Sequence, residues 1–292
     1  MKVRRVTTTE QALEALAEHG SAAQPLAGGT DVMVQLSRNE ISPDVLVPIN
    51  DLAELSTVET NGGVRVGALV THETLAKGAL GSGYRSIAEA AHTVGGWQTQ
   101  AVGTLGGNIC NASPAADTLP PLLVHDAELE LRSSGGSRTL GLEEFLVGRR
   151  QTRRAPDELL VSVGLTPGAP RSGDVYLKVG RRSAVEVAIV GLAMRLVFDR
   201  NEIVSKARIA LASVAAVPLR VRAAETLLEG EALDGHLLDE VSAAVLGATS
   251  PIDDLRASAT YRRLLVPGLV RRAAGVCARR AGVSSPVEEA YQ

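Results

Sequence analysis

Two short runs in this 292-residue chain put small and polar residues where a core would need bulk. The longer is Val102-Gly103-Thr104-Leu105-Gly106-Gly107-Asn108-Ile109-Cys110-Asn111-Ala112-Ser113-Pro114-Ala115-Ala116-Asp117, and the shorter is Leu26-Ala27-Gly28-Gly29-Thr30-Asp31. Glycine has no Cβ and tolerates positive φ, so main-chain N–H groups at Gly103, Gly106 and Gly107 can come close to a ligand and receive an anion. The shorter run stands between an apolar segment at residues 25–27 and the opening of a helix at 32–36. There, free N–H groups, the Thr30 hydroxyl and the helix dipole favour a phosphate. Either run alone reads equally well as a plain turn, whereas two read as a clamp. Their spacing fits neither the dinucleotide fingerprint G-x-G-x-x-G nor the phosphate loop G-x-x-x-x-G-K-[ST].

Other reactive residue types form no constellation. His72, His92 and His125 lack the close spacing of metal ligands and read as surface or core histidines. No Ser, His, Asp arrangement points to hydrolysis. Cys110 has no lysine or histidine beside it and reads as a small buried filler. It and Cys277 are the only cysteines, too few for a disulfide framework or for an iron–sulfur cluster held by this chain alone. Metal ligands are therefore not expected here.

The elements that must position the glycine runs are legible from periodicity. Thr8 with Gln11 is a capping-box pattern ahead of Ala12, Leu13, Ala15 and Leu16, a helix that ends at Gly20. Residues 45–49 read as a buried strand, and residues 58–60 and 64–66 as a hairpin about Asn61-Gly62-Gly63. Helices are expected over 71–79, 86–94 and 119–123, a second hairpin over 128–140, and a strand over 159–165. The segment 166–173, rich in Pro and Gly, is the best domain boundary. Beyond it, 175–179, 185–198 and 203–213 read as strands, and 218–228, 236–246 and 258–281 as helices, an α+β lobe rather than a βαβ repeat.

Bulk composition narrows the classes. Hydrophobic residues make up 45% of the chain but aromatics only 2%, so the core must be built from Ala, Val and Leu, with Trp97 the single indole. A net charge of -3 supplies no basic field for nucleic acid. The arginine pairs 149–150, 153–154, 181–182, 262–263, 271–272 and 279–280 read mostly as solvated helix faces or ion pairs. The opening residues 1–7 lack the apolar region of a secretory signal, and no run of about 18 apolar residues follows, so a soluble, cytoplasmic chain with no membrane span is expected.

Taken together, the two glycine runs and their order resemble the flavin-binding (medium) subunit of the molybdenum hydroxylases, the family of carbon monoxide dehydrogenase and of xanthine dehydrogenase-like enzymes. Tyr176-Leu177-Lys178-Val179-Gly180-Arg181-Arg182 is similar to the strand that opens that family's C-terminal domain. Pro251-Ile252-Asp253-Asp254-Leu255-Arg256-Ala257-Ser258-Ala259-Thr260-Tyr261-Arg262 is similar to its late signature, so the resemblance covers essentially the whole chain. It implies an α+β fold. Residues 1–172 would form an FAD-binding domain of the vanillyl-alcohol oxidase and p-cresol methylhydroxylase type, in two α+β subdomains at about 1–55 and 56–172. Residues 173–292 would form the CO dehydrogenase flavoprotein C-terminal domain, three antiparallel strands plus helices.

By the same resemblance FAD lies extended between the subdomains, with its pyrophosphate on the glycine runs. The implied contacts are Leu26, Ala27, Gly28, Gly29, Thr30 and Asp31 from the first run, Gly103, Thr104, Gly106, Gly107 and Asn108 from the second, and Asp117, Leu160 and Lys178 beyond them. Asp117 would bond flavin hydroxyls or ring nitrogens, and Lys178 would lend positive charge near the isoalloxazine. Read from the residues alone, Asp117 is a helix N-cap and Lys178 a solvated strand residue. Some family members place an aromatic residue where this chain has Val94, so a less tightly stacked flavin is expected. The cysteine-rich insertion of the branch that reduces aromatic-CoA esters is missing. No side chain is implied as a catalytic acid or base. The expected partners are a large molybdopterin subunit and a small [2Fe-2S] subunit, with NAD or another acceptor taking the electrons. A stand-alone FAD oxidoreductase and a flavin-free assembly scaffold are the alternatives.

Overall fold

The Thr8 hydroxyl accepts the Gln11 N–H at 3.3 Å, and the Gln11 side chain in return accepts the Thr7 N–H at 2.9 Å, one residue earlier than a capping box requires. This cap, of a kind that contributes about 1 kcal/mol, starts the helix Thr9–His19, which Gly20 ends at φ +53°. The structure, a computed structural model, describes residues 1–60, 63–182 and 184–284. The expected turn residues Asn61 and Gly62 lie outside the described residues, but Val58–Glu59 and Val64–Gly67 on either side do pair antiparallel.

Three main sheets organise the chain. The first is small and parallel, in the order Lys2–Val3, Val45–Pro48, Ala23–Leu26. The second is antiparallel and five-stranded, in the order Val58–Glu59, Val64–Gly67, Leu159–Leu165, Glu128–Ser133, Gly136–Gly141. The third is antiparallel and four-stranded, running Ser172–Val179, Val190–Phe198, Val204–Ala212, Leu219–Arg220. The mixture of helices with largely antiparallel strands makes the fold α+β, as the sequence implies. A fourth strand, Leu219–Arg220, joins the three expected beyond residue 173, so the helix expected from 218 begins only at Arg222.

The third sheet is covered on both faces. Tyr176, Ala193 and Ala210 point toward the core of the five-stranded sheet, with the helices Arg85–His92 and Leu119–Val124 between. Leu192, Met194, Leu196, Ile209 and Leu211 point the other way, toward the helices Gly235–Ala248 and Ala259–Ala281. Double coverage explains why Val190–Phe198 reads as an almost unbroken apolar run. The expected strand start at 185 gives way to irregular chain up to Val190. A third core gathers Ala12 and Leu16 of the first helix with Val45, Val47, Leu159 and Val161.

Two side chains stand at the extremes of exposure. Trp97 is 83% exposed and contributes nothing to the core. Arg262 takes the ion-pair alternative and is 3% exposed, donating to the Asp254 carboxylate (2.7 Å) and also to the carbonyls of Ile189 (2.7 Å) and Ser213 (3.0 Å).

Candidate functional site

The parallel strand Ala23–Leu26 delivers the chain to the first glycine run at its carboxyl end, the usual place for a ligand crevice beside parallel strands. The second run is not an extended loop. Trp97–Val102 is a helix that the periodicity missed, Gly103 breaks it, and Leu105–Asn111 is a second helix whose N-cap is Thr104. The reason is again capping: the Thr104 hydroxyl accepts the Gly107 N–H at 3.1 Å, and that bond outweighs two glycines in a helix's first turn.

The two runs meet backbone to backbone. A Cβ built on Gly28 would lie 1.8 Å from the carbonyl oxygen of Val102, so glycine is required here by chain approach before any ligand is considered. Between them opens a cleft of about 360 Å³, within the range of small-molecule sites. Of the residues implied by resemblance, Ala27, Gly28, Gly29, Thr30, Asp31, Thr104, Gly106, Gly107, Asn108 and Leu160 line it. Leu26 and Gly103 sit just behind the wall and do not.

Donor accounting separates the roles of the two turns. Gly103 N–H donates to Thr99 O (2.7 Å), Gly106 N–H to Ala68 O (2.8 Å) and Gly107 N–H to the Thr104 hydroxyl. The anion-receiving surface expected from these three glycines is therefore corrected, because their donors are spent on Thr99, Ala68 and the Thr104 hydroxyl. By contrast, the N–H groups of Gly28, Gly29, Thr30, Asp31 and Val32 donate to no protein acceptor among the described residues, nor does that of Thr104. Five consecutive free donors, with Gly29 at φ +73°, make this a turn of the kind that suits an anion. Thr30 and Asp31 do not cap the following helix Val32–Ser37 with their side chains. Burial pushes the Asp31 carboxyl above its ordinary value, opposed by Arg150 and by an Asn111 hydrogen bond.

Asp117 and Lys178 stand together and are not among the residues lining the cleft. Lys178 Nζ donates to Asp117 Oδ2 (2.8 Å) and to Thr93 O (2.9 Å), and the Tyr176 hydroxyl donates to Asp117 Oδ1 (2.7 Å). The N-cap of Leu119–Val124 is Thr118, so Asp117 is not a cap, and Lys178, its side chain 11% exposed, is not a solvated strand residue. Burial raises the Asp117 carboxyl against the pull of Lys178, and burial with the neighbouring Asp117 raises the Tyr176 phenol well above its usual range. Lys178 lines a second cavity of about 440 Å³ with Thr93, Arg181, Arg182 and Glu186.

Beyond the contacts implied by resemblance, several other residues line the cleft. Arg150 and Arg154 line it, the first paired with Glu40 at 2.6 Å and the second donating to the carbonyls of Ala155 (3.1 Å) and Glu158 (2.6 Å). Gln35, Cys110, Asn111 and Val94 also contribute, with Gln35 donating to the Asn111 side chain at 3.0 Å. No spacing rule joins Gln35, Arg150 and Arg154 to the glycine runs, since they lie on segments far apart in the chain. His72 is in the wall too, 2% exposed. Burial lifts the Cys110 thiol above its ordinary value, which suits a filler rather than a nucleophile.

Two chemistries find no support in the geometry. Among the described residues no three His, Cys, Asp or Glu side chains are grouped to hold a metal ion. Ser86, His125 and Asp174 do meet in the interior, but Ser86 Oγ (3.3 Å) and Asp174 Oδ2 (3.1 Å) both face the same His125 Nε2. A relay needs the acid and the nucleophile on opposite ring nitrogens.

The geometry thus gives a glycine-walled cleft with a phosphate-suited turn, on an α+β scaffold. Residues 1–166 match the family described as the FAD binding domain in molybdopterin dehydrogenase, and residues 175–275 match the CO dehydrogenase flavoprotein C-terminal domain. The chain belongs to the FAD-binding subunits of the molybdenum hydroxylase family. It is 30% identical over 282 residues to the xanthine dehydrogenase FAD-binding subunit of Escherichia coli O157:H7, covering 95% of this chain and 96% of the relative. Identity to the glyceraldehyde dehydrogenase medium chain of Sulfolobus acidocaldarius is 32% over 271 residues, 92% and 95% of the two chains. The solved structure of carbon monoxide dehydrogenase from Hydrogenophaga pseudoflava lacking the Mo-pyranopterin moiety superposes with a TM-score of 0.92 at 27% identity, over 96% of this chain and 98% of that one. No helix among the described residues is long and apolar enough to cross a membrane.

Proposed function

We propose that this chain is the flavin relay of a cytoplasmic, three-chain molybdenum hydroxylase, passing electrons from a small [2Fe-2S] subunit to NAD or another acceptor while a large molybdopterin subunit oxidises the substrate. The single observation that carries the reading is the run of five unspent N–H donors from Gly28 to Val32 at the mouth of a cleft closed by a second glycine turn. These donors fit the pyrophosphate of FAD, and the Thr104 N–H and the Asn108 amide offer further polar contacts from the facing turn. FAD supplies chemistry the chain lacks, the exchange of electrons singly on one side and in pairs on the other.

The protein's own residues then bind and orient. Leu26, Ala27, Gly28, Gly29, Thr30 and Asp31 hold one side, and Gly103, Thr104, Gly106, Gly107, Asn108 and Leu160 the other. Gly103 and Leu26 act from behind the wall through the backbone they shape. Asp117 anchors the Lys178 ammonium at 2.8 Å, so a fixed positive charge faces the second cavity. The division of the chain at residues 172 and 173 into a flavin domain and a C-terminal domain belongs to the same proposal.

The experiment is purification of the full chain alone and after coexpression with the two genes expected beside it. A yellow chain whose released cofactor chromatographs as FAD, with hydroxylase turnover only in the coexpressed complex, is the expected result. Turnover by the isolated chain would favour a stand-alone oxidoreductase, and a colourless chain that takes up no added FAD would favour a scaffold.

A further inference from the structure

His72 is the one buried side chain of the cleft wall whose ring nitrogen has been left without a partner. It opens the helix His72–Ala76, capped by the Thr71 hydroxyl, and the cap puts the ring against the second glycine turn. Backbone bonds hold it there: His72 N–H donates to Gly103 O (3.0 Å), and Leu105 N–H to Val70 O (2.9 Å). The ring packs so closely on the turn that a Cβ built on Gly103 would lie 3.1 Å from His72 Cδ2 and 3.6 Å from Nε2. Nδ1 is fully shielded and has no hydrogen-bond partner, while the residue as a whole is 2% exposed and lines the cleft.

Such an arrangement decides the tautomer. With no acidic partner and no water contact at Nδ1, the ring is neutral, and an orphaned buried donor is rarer than an orphaned acceptor. The proton therefore belongs on Nε2, which lies toward the glycine turn and is not shielded as Nδ1 is. A neutral N–H in the wall of the cleft offers a hydrogen bond without adding charge.

We infer that His72 is a further cofactor-binding residue, donating from Nε2–H to an oxygen of bound FAD, either a phosphate oxygen or a carbonyl of the flavin ring. The inference rests on FAD occupying the cleft between the glycine turns, and wild-type apoprotein that fails to quench added FAD would overturn that premise separately.

The test titrates FAD into the apo form of the full chain, wild type, His72→Phe and His72→Gln, following flavin fluorescence. Phenylalanine fills the space without a donor, whereas glutamine restores an N–H near the position of Nε2. His72→Phe is expected to weaken FAD binding about tenfold and His72→Gln to recover most of it, one hydrogen bond's worth of affinity. A ring carbonyl as acceptor would also shift the visible flavin absorption in His72→Phe, and a phosphate acceptor would leave it unmoved, so the spectrum separates the two sources. Equal FAD affinity in all three proteins would overturn the inference. If the variants fail to fold, histidine-selective 15N spectra of the wild type replace them. Nε2 carrying the proton and shifting on FAD addition supports the inference, and an unmoved Nε2 signal refutes it.

Discussion

Replacing Gly28 by alanine tests whether the cleft is built by two backbones in contact. The new Cβ would fall 1.8 Å from the Val102 carbonyl oxygen and 2.5 Å from its carbon, whereas ordinary contact begins near 3.4 Å. The turns must part by about 1.5 Å, and neither can yield by a rotamer change because the obstruction is main chain. Overpacking costs ~1–3 kcal/mol in general. The upper end applies here, since the neighbouring Gly103 is held on both sides by its bonds to Thr99 O and from His72 N–H. Parting also moves the Thr104 donor away from the free donors of residues 28–32, so about 1 kcal/mol of FAD affinity, roughly fivefold, should go with it. Thermal unfolding of the apoprotein and FAD titration measure the two effects separately. Gly247→Ala, a helical glycine with nothing within 4 Å of its built Cβ, is the control, expected to gain up to about 1 kcal/mol. A Gly28→Ala protein with wild-type midpoint and wild-type FAD affinity would refute the argument.

Three other outcomes follow from the buried polar groups. Burial depresses the His72 pKa from 6.5 to about 4, so as pH falls the unfolded chain takes a proton that the folded chain refuses. The fold should be fully stable with respect to this group above about pH 6.5 and lose about 3 kcal/mol by pH 4, a slope absent from His72→Gln in parallel denaturant titrations. Arg262→Met takes away a donor to the carbonyls of Ile189 and Ser213 and one of several donors to the Asp254 carboxylate. Denaturant unfolding should register a loss of about 3 kcal/mol. Burial acts to raise Asp254, but the N–H groups of Arg256 and Ala257 together with Arg262 hold it at about 2, so its NMR titration should move up in the same variant. Asp117→Asn removes the charge that holds Lys178, and a cost of about 1–3 kcal/mol in thermal unfolding is expected. An unchanged midpoint would mean that the pair contributes nothing to the fold.

Local signals carried far along this chain. Thr8 and Gln11 set the first helix, Leu159–Leu165 and the hairpin at Glu128–Gly141 declared themselves by alternation, and Ser258 started the long last helix, because caps and side-chain periods act within a few residues. The same locality explains the misses. Trp97–Val102 is six residues long with no strong apolar stripe, and Leu105–Asn111 hides its cap behind two glycines, so neither outweighs the composition of the run that contains it.

The sequence by itself determined the two glycine runs, their order and hence the family, for those are properties of consecutive residues. Only the tertiary structure decided what each run does. The first keeps its N–H groups free because the strand Ala23–Leu26 ends there with nothing to accept them, and the second spends all its early donors but that of Thr104 on Ala68, Val70, Thr99 and Thr104 and becomes a prop. His72, Arg150 and Arg154 join the cleft through contacts between distant segments, as does the Asp117, Tyr176 and Lys178 cluster beside it. A hydrogen bond's partner across tens of residues is fixed by packing, and no local pattern in the chain records it.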